Sequence, residues 1–179
     1  MIIRQITLDD QQQYLELIHK AYQSVEALGI HFAAATADLD FICEHITNNA
    51  VYGLQKSGQL VSTLSIRFPW GNNPGPYGLP HLGWFATDPD YKQLGLGNEL
   101  MQWVEEHILI NVLKAPAVTL GTAENHPWLI KMYEKYHFRR IGHANLGHGH
   151  TTIYLQKILN EALYQNWQNR QCQTNPQIV

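Results

Sequence analysis

Residues 81–122 constrain the fold more than any other stretch, because they set a strand-like run, a glycine turn, a helical stripe and a second strand-like run in that order. HLGWFAT (81–87) is short, apolar and rich in strand formers, and reads as a buried strand. DPDYKQLGLGNEL (88–100) follows, with Gly95 and Gly97 flanking one leucine and a run of helix formers behind them. Leu96, Leu100, Trp103, Val104 and Ile108 recur at helical spacing and give that helix one apolar face. APAVTLGT (115–122) then reads as another strand. Strands joined through a helix need a crossover, so the expectation is a parallel pair in the middle of a sheet.

The flanking chain supplies the rest of the sheet and its cover. IIRQI (2–6) reads as a strand, and Thr7 with Asp10 three residues on is a capping-box-like start. Tyr14, Leu17, Ile18, Ala21, Tyr22, Val25 and Leu28 mark a first helix ending near Gly29, and Leu39, Ile42, Cys43 and Ile46 mark a second that starts after Thr36 and stops at Asn48 and Asn49. AVYGLQK (50–56) and QLVSTLSIRF (59–68), joined by Ser57 and Gly58, form a hairpin. Past residue 122, Asn125 can cap a helix with Pro127 in its first turn, and Leu129, Met132, Tyr133 and Tyr136 share a face of it. FRRIG and HTTIYLQ add two strands, and Leu159, Leu163 and Trp167 mark a last short helix. The pattern is a mixed sheet with helices packed on it, an α/β sandwich.

Charge and cysteine usage narrow the partners. A net charge of -3 over 179 residues gives no basic field, so nucleic acid is not an expected partner. Cys43 and Cys172 are far apart without a CxxC spacing, so neither a disulfide framework nor a zinc knuckle is expected and a reducing, cytoplasmic location fits. MIIRQITLDD lacks the basic, apolar and small regions of a signal peptide, and no run is long enough to span a bilayer; no membrane partner is expected.

A glycine turn that opens a helix suggests a phosphate ligand. The first backbone N–H groups of a helix have no intrahelical partner and carry about half a positive charge, and glycine lets a ligand approach them. A Walker loop is excluded because no Gly-Lys-Ser/Thr ending is present, and a Rossmann turn because Leu100 stands where the third glycine belongs. The stretch Lys92, Gln93, Leu94, Gly95, Leu96, Gly97, after Asp88-Pro89-Asp90-Tyr91, resembles the Arg/Gln-x-x-Gly-x-Gly/Ala signature of the GCN5-related N-acetyltransferase family, with Lys92 where Arg or Gln is usual. TLGTAENHPWLIKMYEKYHF resembles the second block of that family, matching at Asn125, Tyr133, Glu134, Lys135 and Phe138. The resemblance covers roughly residues 2–156. It implies a mixed, mostly antiparallel sheet of about seven strands flanked by helices on both faces. The acetyltransferase-like domain would be residues 1–157, and 158–179 a C-terminal helix with a polar, partly loose tail. It further implies that acetyl-coenzyme A is the co-substrate and an amine the acceptor. Phe85, Ala86 and Thr87 would pair with the pantetheine arm, Lys92 and the amides from Gln93 to Asn98 would hold the pyrophosphate, Asn125 would bond the pantetheine, and Tyr133 would protonate the leaving thiolate.

Acetyl transfer also needs a neutral amine. Exposing the lone pair of a lysine-like amine at pH 7 costs about 4.6 kcal/mol, against about 1 kcal/mol for an α-amine. Family members place a Glu on the strand before the glycine turn, but here Gly83 stands there and His81 is the one titratable group of the strand, so His81 is the candidate base, with Glu124 and His126 as alternatives. The Pro- and Gly-rich loop 69–80 carries Trp70 and Tyr77, whose faces suit an apolar or cationic acceptor, and the resemblance implies His31 as a third acceptor contact. His143, His148 and His150 lie beside His137 without an acid or cysteine, and no metal is expected. A non-catalytic coenzyme A binding or sensing module of the same fold is the alternative to an enzyme, and Tyr133 separates the two, because a pure binder has no chemical use for it. The Leu159, Leu163, Trp167 stripe leaves a homodimer possible.

Overall fold

A computed structural model describes residues 1–26, 32–147 and 149–174 of the chain. Its strands are β1 (Ile2–Gln5), β2 (Ala50–Lys56), β3 (Gln59–Arg67), β4 (His81–Thr87), β5 (Ala117–Ala123), β6 (Arg139–Asn145) and β7 (Thr151–Ile158). The helices are α1 (Gln11–Glu26), α2 (Leu39–Asn48), α3 (Leu96–Trp103), α4 (Pro127–Lys135) and α5 (Glu161–Thr174). The strands form one seven-stranded sheet in the order β1-β2-β3-β4-β5-β7-β6. Every pair is antiparallel except β4 with β5, the parallel pair that the crossover requires.

Strand alternation sends side chains to two cores, one on each face. Val51 and Leu60 join Tyr14, Leu17 and Ile18 of α1 and Ile42 and Ile46 of α2. Tyr52, Leu54, Leu64 and Ile66 join Leu96 and Leu100 of α3 and Ile130 and Tyr133 of α4 on the other face. Each fully buried leucine or isoleucine contributes about 1.5–3 kcal/mol, so the two cores fix which helix lies over which strands. The β2–β3 turn has φ of 52° at Ser57 and 80° at Gly58, the paired left-handed conformation that a two-residue hairpin needs. Asp10 closes the start of the helical region, accepting from the Thr7 N–H at 3.0 Å, and it also pairs with Arg4 across the chain start at 2.6 Å.

Two local expectations change. The helix after the glycine turn does not stay α-helical: Val104–Ile110 is a π-helical segment, with bonds from the Asn111 N–H to the Glu106 carbonyl and from the Leu113 N–H to the Ile108 carbonyl. That widened turn rotates the apolar face by one residue, so Leu109 is 1% exposed where the even helical period selects Ile108. The cap of α4 is His126 rather than Asn125, with Pro127 in the first turn as expected. Asn125 lies outside the helix and is exposed.

Candidate active site

The site lies where β4 and β5 separate. The two strands pair only at His81 with Thr119 and Leu82 with Leu120. β4 runs on to Thr87 and β5 to Ala123 without further pairing, so their facing edges diverge into a wedge. A cavity of about 1000 Å³ fills that wedge and continues between α1, α2, α3 and α4; its wall includes Gly83 through Thr87 on one side and Leu120 through Thr122 on the other.

β4 carries a bulge at the mouth of the wedge. Thr63 pairs with Ala86 and Ser65 with Gly83, so Trp84 and Phe85 together oppose the single residue Leu64. Trp84 takes up the irregularity with φ of 47°, a left-handed conformation unfavourable for a bulky side chain. Its indole is held in place by His45 stacked at 3.9 Å, by Phe41 edge-on at 5.6 Å and by Tyr14 at 6.1 Å. Ser62 and Ser65 brace the bulge from β3, donating to the Ala86 carbonyl at 2.9 Å and the Gly83 carbonyl at 2.8 Å.

One half of the cavity is built by the glycine turn. Gln93 (φ 65°) and Gly95 (φ 76°) reverse the chain so that α3 starts at Leu96 beside the wedge. No side chain caps this helix end, which leaves its first N–H groups and its positive dipole end available. Gly97 is needed for close approach: a Cβ there would lie 2.8 Å from Thr87 Oγ1 and 3.1 Å from Phe85 Cζ. The turn is fastened from behind by Lys20 of α1, which pairs with buried Asp88 at 2.7 Å and with Asp90 at 2.6 Å. Phe85, Ala86, Thr87, Lys92, Gln93, Gly95, Leu96, Gly97 and Asn98 all line the cavity, whereas Leu94 is 58% exposed outside it.

Two orphaned polar groups face the same space. Asn98 Oδ1 is buried without a partner, and so are both ring nitrogens of His126, a residue 1% exposed on the wall. Burial also lowers the His126 pKa, which favours the neutral imidazole. Buried polar groups without partners are costly, and an amide- and phosphate-bearing ligand would satisfy them. The residues therefore fit acetyl-coenzyme A at an uncapped helix end, with His126 rather than Asn125 reaching the cavity. The signal for His126 was its place directly before Pro127, at the last position outside the helix.

Tyr133, 8% exposed, reaches the cavity from α4 and packs edge-on to Phe138 at 6.0 Å. Burial pushes its pKa above the usual phenol range, with smaller contributions from Tyr22 and Tyr136, so the hydroxyl keeps its proton at neutral pH.

His81, 5% exposed, lines the opposite half. Thr119 Oγ1 lies 2.9 Å from His81 Nδ1 and 3.3 Å from the Pro80 carbonyl; in the tautomer in which the hydroxyl donates to that carbonyl, Nδ1 carries the ring proton. The lone pair is then on Nε2. Burial first and the Arg67 cation second lower the His81 pKa to about 4. His45 and Arg67 share this half of the wall. Trp70 and Tyr77 do not: Trp70 is 71% exposed and stacks on Phe68 at 5.0 Å, while Tyr77 packs behind Tyr154 at 5.4 Å. Loop 69–80 reaches the cavity wall through Asn72 and Asn73 instead of through these two aromatic rings. His31 and His148 fall outside the described residues. Among the described residues no group of three His, Cys, Asp or Glu could hold a metal ion.

Comparison with known proteins agrees with this geometry. Residues 12–138 match the acetyltransferase (GNAT) family. The chain is 50% identical over 154 residues to the S-(2-succino)cysteine N-acetyltransferase of Bacillus subtilis (strain 168), covering 86% of this chain and 93% of that one. It is 42% identical over 135 residues to the S-alkylcysteine N-acetyltransferase of the same organism, covering 75% and 76%. Among solved structures, YncA of Salmonella typhimurium with acetyl-CoA superposes with a TM-score of 0.68 at 15% identity, over 90% of this chain and 95% of that one.

Proposed function

The chain belongs to the acetyltransferase (GNAT) family and is an N-acetyltransferase that uses acetyl-CoA, and from that premise we propose that its acceptor is the α-amine of an S-substituted cysteine. The observation that carries this reading is the pair of relatives at 50% and 42% identity, both named for cysteine derivatives. The same two names set aside the reading as a coenzyme-binding module without turnover. A small free amino acid also suits a cavity of about 1000 Å³ whose acceptor half is bordered by α2 and by Asn72 and Asn73 of loop 69–80.

Acetyl-CoA supplies the acetyl thioester, whose C–S bond breaks as the amine nitrogen forms its bond to the carbonyl carbon. The uncapped start of α3, with Gly95, Gly97 and Lys92, holds the pyrophosphate, and His126 and Asn98 bond the polar groups of the arm. The Phe85 N–H, at the bulge on the cavity wall, would face the thioester carbonyl and stabilise the charge that grows on its oxygen. Tyr133 gives its proton to the departing sulfur, and the proton that the attacking nitrogen sheds on becoming an amide passes to solvent, from which Tyr133 is reprotonated. His81 accepts a hydrogen bond from the amine at Nε2 and orients its lone pair. A base with a pKa of about 4 is weak, but an α-amine needs only about 1 kcal/mol to lose its proton at pH 7, and water takes that proton. A cytoplasmic setting belongs to the same reading, since Cys43 and Cys172 are both free thiols.

The test is the release of free thiol from acetyl-CoA with S-(2-succino)cysteine, S-alkylcysteines, free cysteine, lysine and spermidine as acceptors. The expected result is a kcat/KM for at least one S-substituted cysteine at least tenfold above that for lysine and spermidine. Equal or higher rates with lysine or a polyamine would remove the proposed acceptor class.

A further inference from the structure

The acceptor half of the cavity holds a cation and a hydrogen-bond donor that the protein itself leaves without an anion. Arg67, the last residue of β3, donates from Nε to the Asn73 carbonyl at 2.8 Å and from Nη2 to the Pro74 carbonyl at 2.8 Å and Asn73 Oδ1 at 3.1 Å. All three acceptors are neutral, and Nη1 has no acceptor among the described residues. No carboxylate lies within ion-pair distance of the guanidinium among the described residues. Loop 69–80 thus serves the site indirectly: it clamps Arg67, and Asn72 ties it to Asn48 of α2 at 3.0 Å.

His45 of α2 stands on the same wall, 8% exposed and stacked on Trp84. Asn49 Nδ2 donates to the His45 carbonyl at 2.9 Å and to His45 Nδ1 at 3.4 Å. An amide nitrogen can only donate, so Nδ1 is the accepting nitrogen and the ring proton is on Nε2. Nε2 is buried with no partner. Arg67 lies close enough to help lower the His45 pKa to about 4, behind the larger effect of burial, so the imidazole is neutral and its N–H is a donor. The wall carries one carboxylate among the described residues, that of Glu44, which is exposed at the rim.

We propose that Arg67 and His45 form a carboxylate subsite for the acceptor, the guanidinium supplying charge and fork geometry and the imidazole N–H a second donor. The subsite rests on the reading that the acceptor is an S-substituted cysteine. Its ligand is a carboxylate of that amino acid, either the α-carboxylate or one carried by the sulfur substituent. A hydrogen-bonded ionic contact of this kind accounts for a 10- to 100-fold preference, and the cost of leaving both donors empty adds to the discrimination.

The experiment measures acceptor KM for S-(2-succino)cysteine, S-propylcysteine and S-propylcysteine amide with wild type, Arg67→Gln and His45→Phe. His45→Phe keeps a ring on Trp84 and removes the Nε2 N–H together with the Nδ1 acceptor of Asn49. Each variant is expected to raise the KM of the acid it recognises by about 10- to 100-fold with the KM for acetyl-CoA unchanged. If both variants penalise S-(2-succino)cysteine and leave S-propylcysteine alone, the substituent carboxylate is bound. If they penalise S-propylcysteine as well and leave its amide alone, the α-carboxylate is bound. Equal penalties on acid and amide, or none, overturn the subsite. Should either variant fail to fold, the wild-type comparison decides: a KM that stays the same when each carboxylate is removed in turn overturns it. Failure of the wild type to acetylate any of the three acceptors would instead overturn the acceptor reading on which the subsite depends.

Discussion

The two halves of the cavity are built in opposite ways. The half proposed to hold the coenzyme is mostly backbone, from the stretch between Phe85 and Asn98, and its key side-chain feature is the missing Cβ of Gly97. The acceptor half is side chains brought from separate elements: His45 from α2, Arg67 from the end of β3, and His81 and Trp84 from β4. A site made of backbone groups depends little on which side chains the chain carries. A side-chain site changes with single substitutions, which is where acceptor choice belongs.

The largest expected effect tests whether the halves are joined by one proton donor. Tyr133→Phe should lower kcat by about 10²- to 10⁴-fold while the KM values for acetyl-CoA and acceptor stay within a factor of a few. A variant with near wild-type turnover would show that water protonates the sulfur and that the coenzyme half only binds.

Acid should loosen the acceptor half selectively. His45 and His81 have folded-state pKa values of about 4, depressed by burial first and Arg67 second, whereas an imidazole in the unfolded chain titrates near 6.5. Between those values the unfolded chain binds more protons, so stability rises with pH there. It is fully present above about pH 6.5 and is lost as pH falls toward 4, at up to about 3 kcal/mol for each imidazole. Urea unfolding at pH 7 and pH 4.5, for wild type and His81→Gln, measures this. The variant should lose less between the two pH values, and an unchanged loss would mean that His81 takes its proton without unfolding.

Gly97→Ala probes the backbone half. Its Cβ would meet Thr87 Oγ1 at 2.8 Å and Phe85 Cζ at 3.1 Å, an overpacking cost of about 1–3 kcal/mol partly offset by the roughly 1 kcal/mol that Ala gains over Gly in a helix. A net loss of about 1 kcal/mol and a raised KM for acetyl-CoA are expected from denaturation and initial-rate measurements. A more stable protein with unchanged KM would show that α3 can move off β4 at no cost to binding.

The contrast also explains what could be read in the amino-acid order. The strand, turn and helix from His81 to Trp103 were legible because every interaction that shapes them is local: apolar alternation, two glycines, then helix formers. The parallel pair followed from the crossover alone. His45 and Arg67 were not legible, because a histidine in an amphipathic helix and an arginine at a strand end carry no local mark of a shared cavity 22 residues apart in sequence. Trp84 reads as an ordinary residue of a buried strand, since nothing in HLGWFAT distinguishes a regular strand from one whose pairing shifts by a residue. An unbroken α-helical period selects Ile108 over Leu109, and the π segment breaks that period. Asn125 and His126 are adjacent, and only the direction in which the chain leaves β5 decides which of them faces the wedge.

The wedge has a mechanical consequence. The sheet amounts to two plates, β1 to β4 and β5 to β7 with β6, sewn together by backbone pairing at two positions. The seam is reinforced where it is shortest: the Pro80 carbonyl accepts from the Thr119 N–H at 2.9 Å, and His81 crosses to the Thr119 hydroxyl at 2.9 Å. His81 is therefore a stitch as well as a wall of the cavity. The plates part along this line at the smallest loss of hydrogen bonds, and amide protons on either side of it are the ones whose exchange should slow most when the open edges are spanned by a bound ligand.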